Sequence, residues 1–326
     1  MRILAARWLT PAGLLAVLAG VLLIHFAGLD AAPALVPGAG VLVLNLLAAL
    51  FTERGLHRNP GLLLFHLGLL GVTLLAAAGY LIRFEARIEL VQGGRFDPAA
   101  LQAVKAGWLH PDRLEGVRFI QGAFTVDYAP GLARGHTRSR VLLPDGRGGW
   151  TEREVGDDRP LIVDGYRFYT TWNKGFALVL SWLPAEAPPM TGAVHLPPYP
   201  GIEWKQENEW TIPGTDKVLR LRLELPPRPA DEQAWQLRGD RRTDVHLRVQ
   251  FPGGERRLDP GETLRLDEGV LRFEEVRGWM GYKVYYDPTL PWMFWTAIAG
   301  IAGLAWHYIR GTLFPLRKAA AFRAGT

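Results

Sequence analysis

The sequence predicts an α + β membrane protein: four transmembrane helices and a large extracytoplasmic all-β domain, sandwich- or barrel-like and internally duplicated. Three observations lead there. Long uncharged runs sit at both ends of the 326-residue chain, each close to the ~20 apolar residues that a hydrocarbon core demands of a helix. Between them lies a polar block in which short alternating runs are broken by Gly- and Pro-containing turns, a strand signature. Two parts of that block resemble each other.

The spans are expected at about Trp8–Leu29, Ala34–Phe51, Leu62–Ile82 and Leu290–Ile309. The second is the shortest and contains Pro37 and Asn45. The basic start, apolar run and small residues near Asp30–Ala32 also fit a cleaved signal peptide, but further spans follow at once, which favours an uncleaved anchor. The expected organisation is a three-helix region over 1–82, a β domain over 83–288, and a last helix with a basic tail over 289–326. Arg2 and Arg7 precede the first span, Arg54 and Arg58 follow the second, and Arg310, Arg317, Lys318 and Arg323 follow the fourth. By the bias of basic residues toward the cytoplasm, both termini and the Glu53–Asn59 loop face inward and the β domain faces the periplasm.

The same residues account for the charge. The chain carries a formal +5, which on its own suggests a nucleic-acid partner. Eight of the 37 Lys and Arg and two of the 32 Asp and Glu lie outside the outward block, which leaves the block itself near −1. The basic excess is therefore topological, and no nucleic-acid partner is expected. There is no cysteine, which excludes disulfides, thiolate metal sites, CxxC redox chemistry and covalent haem attachment through CxxCH.

Within the block, SRVLLPDGRGGWTEREVGDDRPLIVDGYRFYTTW (Ser139–Trp172) parallels HLRVQFPGGERRLDPGETLRLDEGVLRFEEV (His246–Val276). Each reads as a strand, a Gly-containing hairpin turn, a second strand, a polar bend and a final strand pair. Two related halves are expected, at about 83–183 and 214–288, joined by a Pro-rich connector, Pro184–Pro213. The aromatic residues Tyr166, Phe168, Tyr169, Trp172, Trp279, Tyr282, Tyr285 and Tyr286 are expected to form core and a belt above the membrane rather than a ligand surface.

Eight histidines are the candidate ligands. His57 falls in the basic loop. His110, His136, His195 and His246 are scattered through the β block, and Asp244 two residues before His246 does not by itself make a metal site. His25, His66 and His307 lie in spans. At 1.5 Å per residue, His66 sits roughly 6–8 Å from the cytoplasmic side and His25 roughly 25 Å up its own span. Two axial ligands of one iron lie within about 4 Å of each other, so those two cannot share one. His307 matches the depth of His66, in AWHYIR, where an interfacial anchor is the simpler account. His66 stands in NPGLLLFHLGLLGVTLLAAAGYLI (Asn59–Ile82), behind an Asn-Pro helix start. An ionisable residue inside a span is a functional-site hypothesis by default. Two readings stay open from the residues alone: a haem ligand, with Gly68, Gly71 and Gly79 making room for a porphyrin or a neighbouring helix, or a neutral imidazole bonded to such a helix.

LNLLAALFTERGL (Leu44–Leu56) with the His66 span, LIVDGYRFYTTW (Leu161–Trp172) with its Gly-Tyr-x-x-Tyr pattern, and YYDPTLPWMFWTAIAGIAGLAWHYIR (Tyr285–Arg310) together resemble the ResB (CcsB, Ccs1) family, membrane proteins of system II cytochrome c biogenesis. The resemblance covers essentially the whole chain and rests on the order of weak motifs. It implies a subunit that helps move haem across the cytoplasmic membrane for attachment to apocytochrome c. It also implies a ResC/CcsA-type membrane partner, a thiol reductase of the same pathway, and a histidine of the third span ligating haem together with a partner ligand. His66 occupies that position. The WGxxWxWD haem-presenting motif of the partner is absent, so this chain is expected to be non-catalytic alone. The first loop (GLDAAPALVPG) and the cysteine-free second span depart from the family pattern. The rival expectation is a membrane-anchored periplasmic scaffold that does not bind haem.

Overall fold

The computed structural model describes residues 6, 8–29, 31–201, 204–226, 232–242 and 244–323, with backbone alone for 31–33 and 311–323. Arg2, Arg7 and Asp30, and the side chains of Arg317, Lys318 and Arg323, lie outside the described residues. The chain divides into two compact units, one of Met1–Ile82 with Asp287–Thr326 and one of Arg83–Tyr286.

The first unit is helical. Helices α1 (Leu9–Ala27) and α2 (Ala31–Thr52) form a pair, α3 (Arg54–His57) is a single turn, and α4 (Pro60–Ile82) pairs with α5 (Leu290–Arg323). Among the described residues three helices are long and apolar enough to cross a membrane: Leu9–Ala27, Ala34–Thr52 and Pro60–Ile82. The expected fourth span forms helix α5 but is not among them. Pro291, Thr296, Gly300, Gly303 and His307, with the polar-edged Trp292, Trp295 and Trp306, dilute its apolar character.

Asn45, the polar residue within α2, is buried and satisfied: its Oδ1 accepts from Thr10 Oγ1 at 2.8 Å and its Nδ2 donates to Ala6 O at 3.1 Å. A buried amide with partners costs little, whereas an orphaned one costs several kcal/mol in an apolar medium, on the order of 4–8. Small residues set the helix spacing. A Cβ at Gly13 would meet Leu42, and one at Gly38 would lie 2.7 Å from Val17 N. On α4 the close neighbours are on α5: a Cβ at Gly68 would lie 2.6 Å from Gly300 Cα, and one at Gly71 would lie 2.5 Å from Thr296 Cγ2. This is the small-residue packing that lets backbones approach where lipid supplies no hydrophobic drive between helices.

The second unit is all antiparallel β. Its first seven strands are β1 (Phe84–Val91), β2 (Gln102–Ala106), β3 (Ile120–Ala129), β4 (Ala133–Pro144), β5 (Trp150–Gly156), β6 (Leu161–Val163) and β7 (Tyr166–Pro184). Then come β8 (Met190–Pro198), β9 (Glu207–Thr211), β10 (Val218–Glu224), β11 (Trp235–Arg238), β12 (His246–Phe251), β13 (Gly254–Leu258), β14 (Thr263–Leu266) and β15 (Gly269–Tyr286). A seven-stranded sheet is built on the long β7–β15 pair, flanked by two four-stranded sheets, β11-β3-β4-β5 and β13-β12-β10-β9.

The connectivity around the central pair repeats. β7 takes β6 along its start and β8 along its end, while β15 takes β14 along its start and β1 along its end. Both flanking sheets carry a tight hairpin, β4–β5 and β12–β13. The stretch Pro184–Pro213, expected as a connector, is instead largely sheet: β8 pairs with β7 and β9 with β10. Its prolines are tolerated because β8 has a free edge, where a missing N–H breaks no ladder bond.

Packing explains the sequence pattern. β1 and β10 alternate, with Phe84, Ala86, Ile88 and Leu90 inward on one, and Leu219, Leu221 and Leu223 on the other. The alternation fails over Lys174–Leu180 of β7 and Gly278–Tyr282 of β15, which are buried on both faces. Those central segments lie between layers, so both sets of side chains are covered. Tyr166, Phe168, Trp279 and Tyr282 are core, as expected, whereas Trp172 stands in solvent with Arg134 4.7 Å over its ring.

Candidate functional site

Helix α4 begins at an Asn-Pro pair. Asn59 Oδ1 accepts from Leu62 N at 3.2 Å, the side-chain cap that the first helical turn requires. One turn on, His66 is half-buried, with its Nδ1 2.7 Å from the carbonyl oxygen of Leu62. A carbonyl only accepts, so in the neutral ring Nδ1 carries the proton and Nε2 carries the lone pair. Histidines that bind metal through one nitrogen use the other in this way, donating to a carbonyl or carboxylate that fixes tautomer and orientation. The Phe65 ring packs edge-on to the imidazole at 5.3 Å.

The room that the glycines of α4 were expected to give a porphyrin or a neighbouring helix is taken by a helix. At 100° per residue, His66 lies about 170° around the helix from the mean direction of Gly61, Gly68 and Gly71. Those three, with Gly79, face the start and body of the α5 segment through His307, Gly300, Thr296 and Thr289. Gly61 and Gly68 meet the backbone of α5, Gly71 meets the side chain of Thr296 and Gly79 those of Thr289 and Asp287, and the imidazole stands on the opposite face of α4.

His307 is brought to the start of α4, and its role differs from that of His66. Asn59 Nδ2 lies 2.7 Å from His307 Nδ1. With Oδ1 committed to Leu62 N, the amide can only donate there, so Nδ1 of His307 is the acceptor and Nε2 bears hydrogen. His66 and His307 therefore hold opposite tautomers. His66 offers a bare Nε2, and His307 spends its lone pair on Asn59. The interfacial-anchor account of His307 missed this partner, because nothing local in AWHYIR points to a residue 248 positions away. His25 is exposed in the last turn of α1, edge-on to Phe26 at 4.7 Å.

The histidines of the β domain have structural partners. His110 stacks on Phe84 at 4.9 Å, and its Nε2 shares a hydrogen bond with Tyr166 Oη at 2.8 Å. His195 packs against Trp279 at 5.5 Å, and burial pushes its pKa down. His246 pairs with Asp259 rather than with Asp244, which is held by Arg242 at 3.3 Å. His136 is exposed. Among the described residues no group of three or more His, Asp or Glu could hold a metal ion.

Two buried polar clusters were not legible in the sequence. Tyr282 Oη donates to Gln121 Oε1 at 2.7 Å, Gln121 Nε2 donates to Ser139 Oγ at 2.9 Å, and Ser139 Oγ returns to Tyr282 Oη at 2.7 Å. Lys174 is buried with its Nζ donating to Trp172 O at 3.2 Å and 5.7 Å from the Tyr128 ring centre. The first joins β3, β4 and β15, and the second sets β7 against Tyr128 of β3.

Three helices long and apolar enough to cross a membrane, with an all-β domain, fit a membrane-anchored β protein, and His66 of α4 keeps its Nε2 for a ligand. Residues 38–190 match the model of the ResB-like family, so that stretch is similar to ResB proteins. The matched stretch holds α4 with His66, and the first β strands through β7. Comparison with curated proteins gives no match.

Proposed function

We propose that the protein is a subunit of a system II cytochrome c synthase that helps move haem across the cytoplasmic membrane for attachment to apocytochrome c. The observation that carries this reading is the His66–Leu62 hydrogen bond, which leaves Nε2 as a neutral, oriented donor to iron. His66 alone supplies one axial position. A ResC/CcsA-type membrane partner would supply the second ligand, since the Nδ1 lone pair of His307 is engaged by Asn59. A thiol reductase keeps the apocytochrome cysteines ready, since this chain has none. In this reading both termini are cytoplasmic, the β domain is periplasmic, and α5 crosses the membrane packed on α4. The chain alone is not an enzyme.

The family match supports the biogenesis role, and the half-buried His66, turned away from the face that α5 covers, supports access for a ligand. The test is the visible spectrum of the chain purified with its partner. His66→Ala is expected to lower haem content and alter the ferrous bands, and added imidazole is expected to restore them. Unchanged haem content in His66→Ala would leave a membrane-anchored scaffold that does not bind haem.

A further inference from the structure

Trp108 is 86% exposed, the highest value of any described tryptophan, and Leu109 beside it is 52% exposed. Such a tip in water forgoes about 25 cal/mol for each Å² of apolar surface left uncovered. The turn that carries it is firmly held. Gly107 N donates to Arg83 O at 2.7 Å, and His110 N donates to Gly107 O at 3.0 Å. The His110 ring stacks on Phe84 at 4.9 Å, meets Tyr286 edge-on at 5.3 Å, and bonds Tyr166 Oη at 2.8 Å. The tip is thus fastened from both sides while its two large apolar side chains stay bare.

The fastening points are the two strand ends from which the chain passes into the helices. Arg83 follows Ile82, the last residue of α4, and Tyr286 stands four residues before Leu290, the first of α5. The end of a helix that crosses a bilayer lies at the lipid–water interface. Tryptophan concentrates there because its ring is apolar and its N–H is not. Basic residues accompany the same strand ends: Arg83, Lys105 opposite Glu85, and Lys283 bonded to Glu85 at 2.9 Å. These suit phosphate headgroups.

We propose that Trp108 and Leu109 insert into the bilayer interface beside the helix ends and moor the β domain to lipid. This rests on the helices being membrane spans and not on haem binding, so a failed haem test leaves it standing. The natural absence of cysteine makes single labelling sites clean. Trp108→Cys, Leu109→Cys and a control, Trp172→Cys, are made in the full chain. Trp172 is 73% exposed and lies six residues along β7 from Tyr166, roughly 20 Å away. Each variant carries a polarity-sensitive fluorophore in nanodiscs of mixed phosphatidylcholine and phosphatidylglycerol, with or without bromine on the upper acyl chain. Labels at 108 and 109 are expected to emit to the blue of the control and to lose most of their emission in brominated lipid, while the control does neither. Labels at 108 and 109 that match the control, or that become shielded only when a partner protein is added, would overturn the proposal.

Discussion

Asn59 Nδ2 lies 2.7 Å from His307 Nδ1, and the same side chain caps α4 through Leu62 N. One residue thus closes the first turn of one helix and ties it to another. Asn59→Ala is expected to destabilise the helical unit by about 1–2 kcal/mol through loss of both bonds. Asn59→Asp keeps the cap but not the donor to His307 and should fall between. Thermal unfolding in nanodiscs ranks the three, and no difference among them would deny the side chain either role.

Gly68 and Gly300 meet backbone to backbone, with 2.6 Å between a Cβ built on the first and Cα of the second. Gly68→Leu is expected to force α4 and α5 apart and to cost about 1–3 kcal/mol or more, as overpacking does. Gly40, with nothing within 4 Å of an added Cβ, serves as the control for a helical glycine. Resistance to detergent-induced unfolding reads the difference, and equal losses at both sites would refute the packing account.

The ring of bonds among Tyr282, Gln121 and Ser139 is fully buried, and each group donates once and accepts once. Tyr282→Phe strands a hydroxyl and a carbonyl oxygen, for an expected loss of about 1–3 kcal/mol. Adding Ser139→Ala removes one of the stranded groups, so the double variant should be more stable than the single losses predict when summed. Additive losses from chemical denaturation would mean that the three groups do not act together.

Burial of the Lys174 ammonium pushes its pKa down to about 8, with Arg134 adding to the effect and Asp157 opposing it. The unfolded side chain holds its proton to about 10.4. Between those values the unfolded chain binds more protons, so stability rises with pH; below pH 8 both states are charged and the burial penalty is present in full. Tyr128, raised to about 12 by burial, acts in the opposite sense from pH 10 upward. The β domain is therefore expected to gain stability from pH 8 to pH 10, and Lys174→Met to flatten that slope. Near-ultraviolet circular dichroism of the full chain in detergent follows the melting, and identical slopes in the two proteins would exclude Lys174 as the source.

Much of the architecture could be read residue by residue. The apolar runs behind Leu9 and Pro60 are helices, and the ResB resemblance carried by Leu44–Leu56 and Leu161–Trp172 falls within the matched stretch 38–190. Length and the absence of charge suffice for that, because the preference of such a run for lipid is additive along the chain. What could not be read has a common cause. Pro184–Pro213 was expected to be a connector because proline disfavours strands, yet β8 tolerates it at an edge that only the sheet order reveals. Gly68, Gly71 and Gly79 were read as room for a porphyrin or a neighbouring helix, and only the approach of α5 decides that a helix takes it.

Composition and pattern alone determined that this chain would bury apolar helices, build a β domain without disulfides, and carry an imidazole within a helix. Those properties belong to single segments and follow from hydropathy, turn chemistry and residue count. Only the tertiary structure decided which nitrogen of that imidazole stays bare, which face of α4 the second helix covers, and which polar groups find partners inside the β domain. Hydrogen bonds such as Asn59–His307 and Ser139–Tyr282 join positions 248 and 143 residues apart. A bond of that kind has no trace in local sequence, because its energy depends on geometry that exists only once the chain has folded.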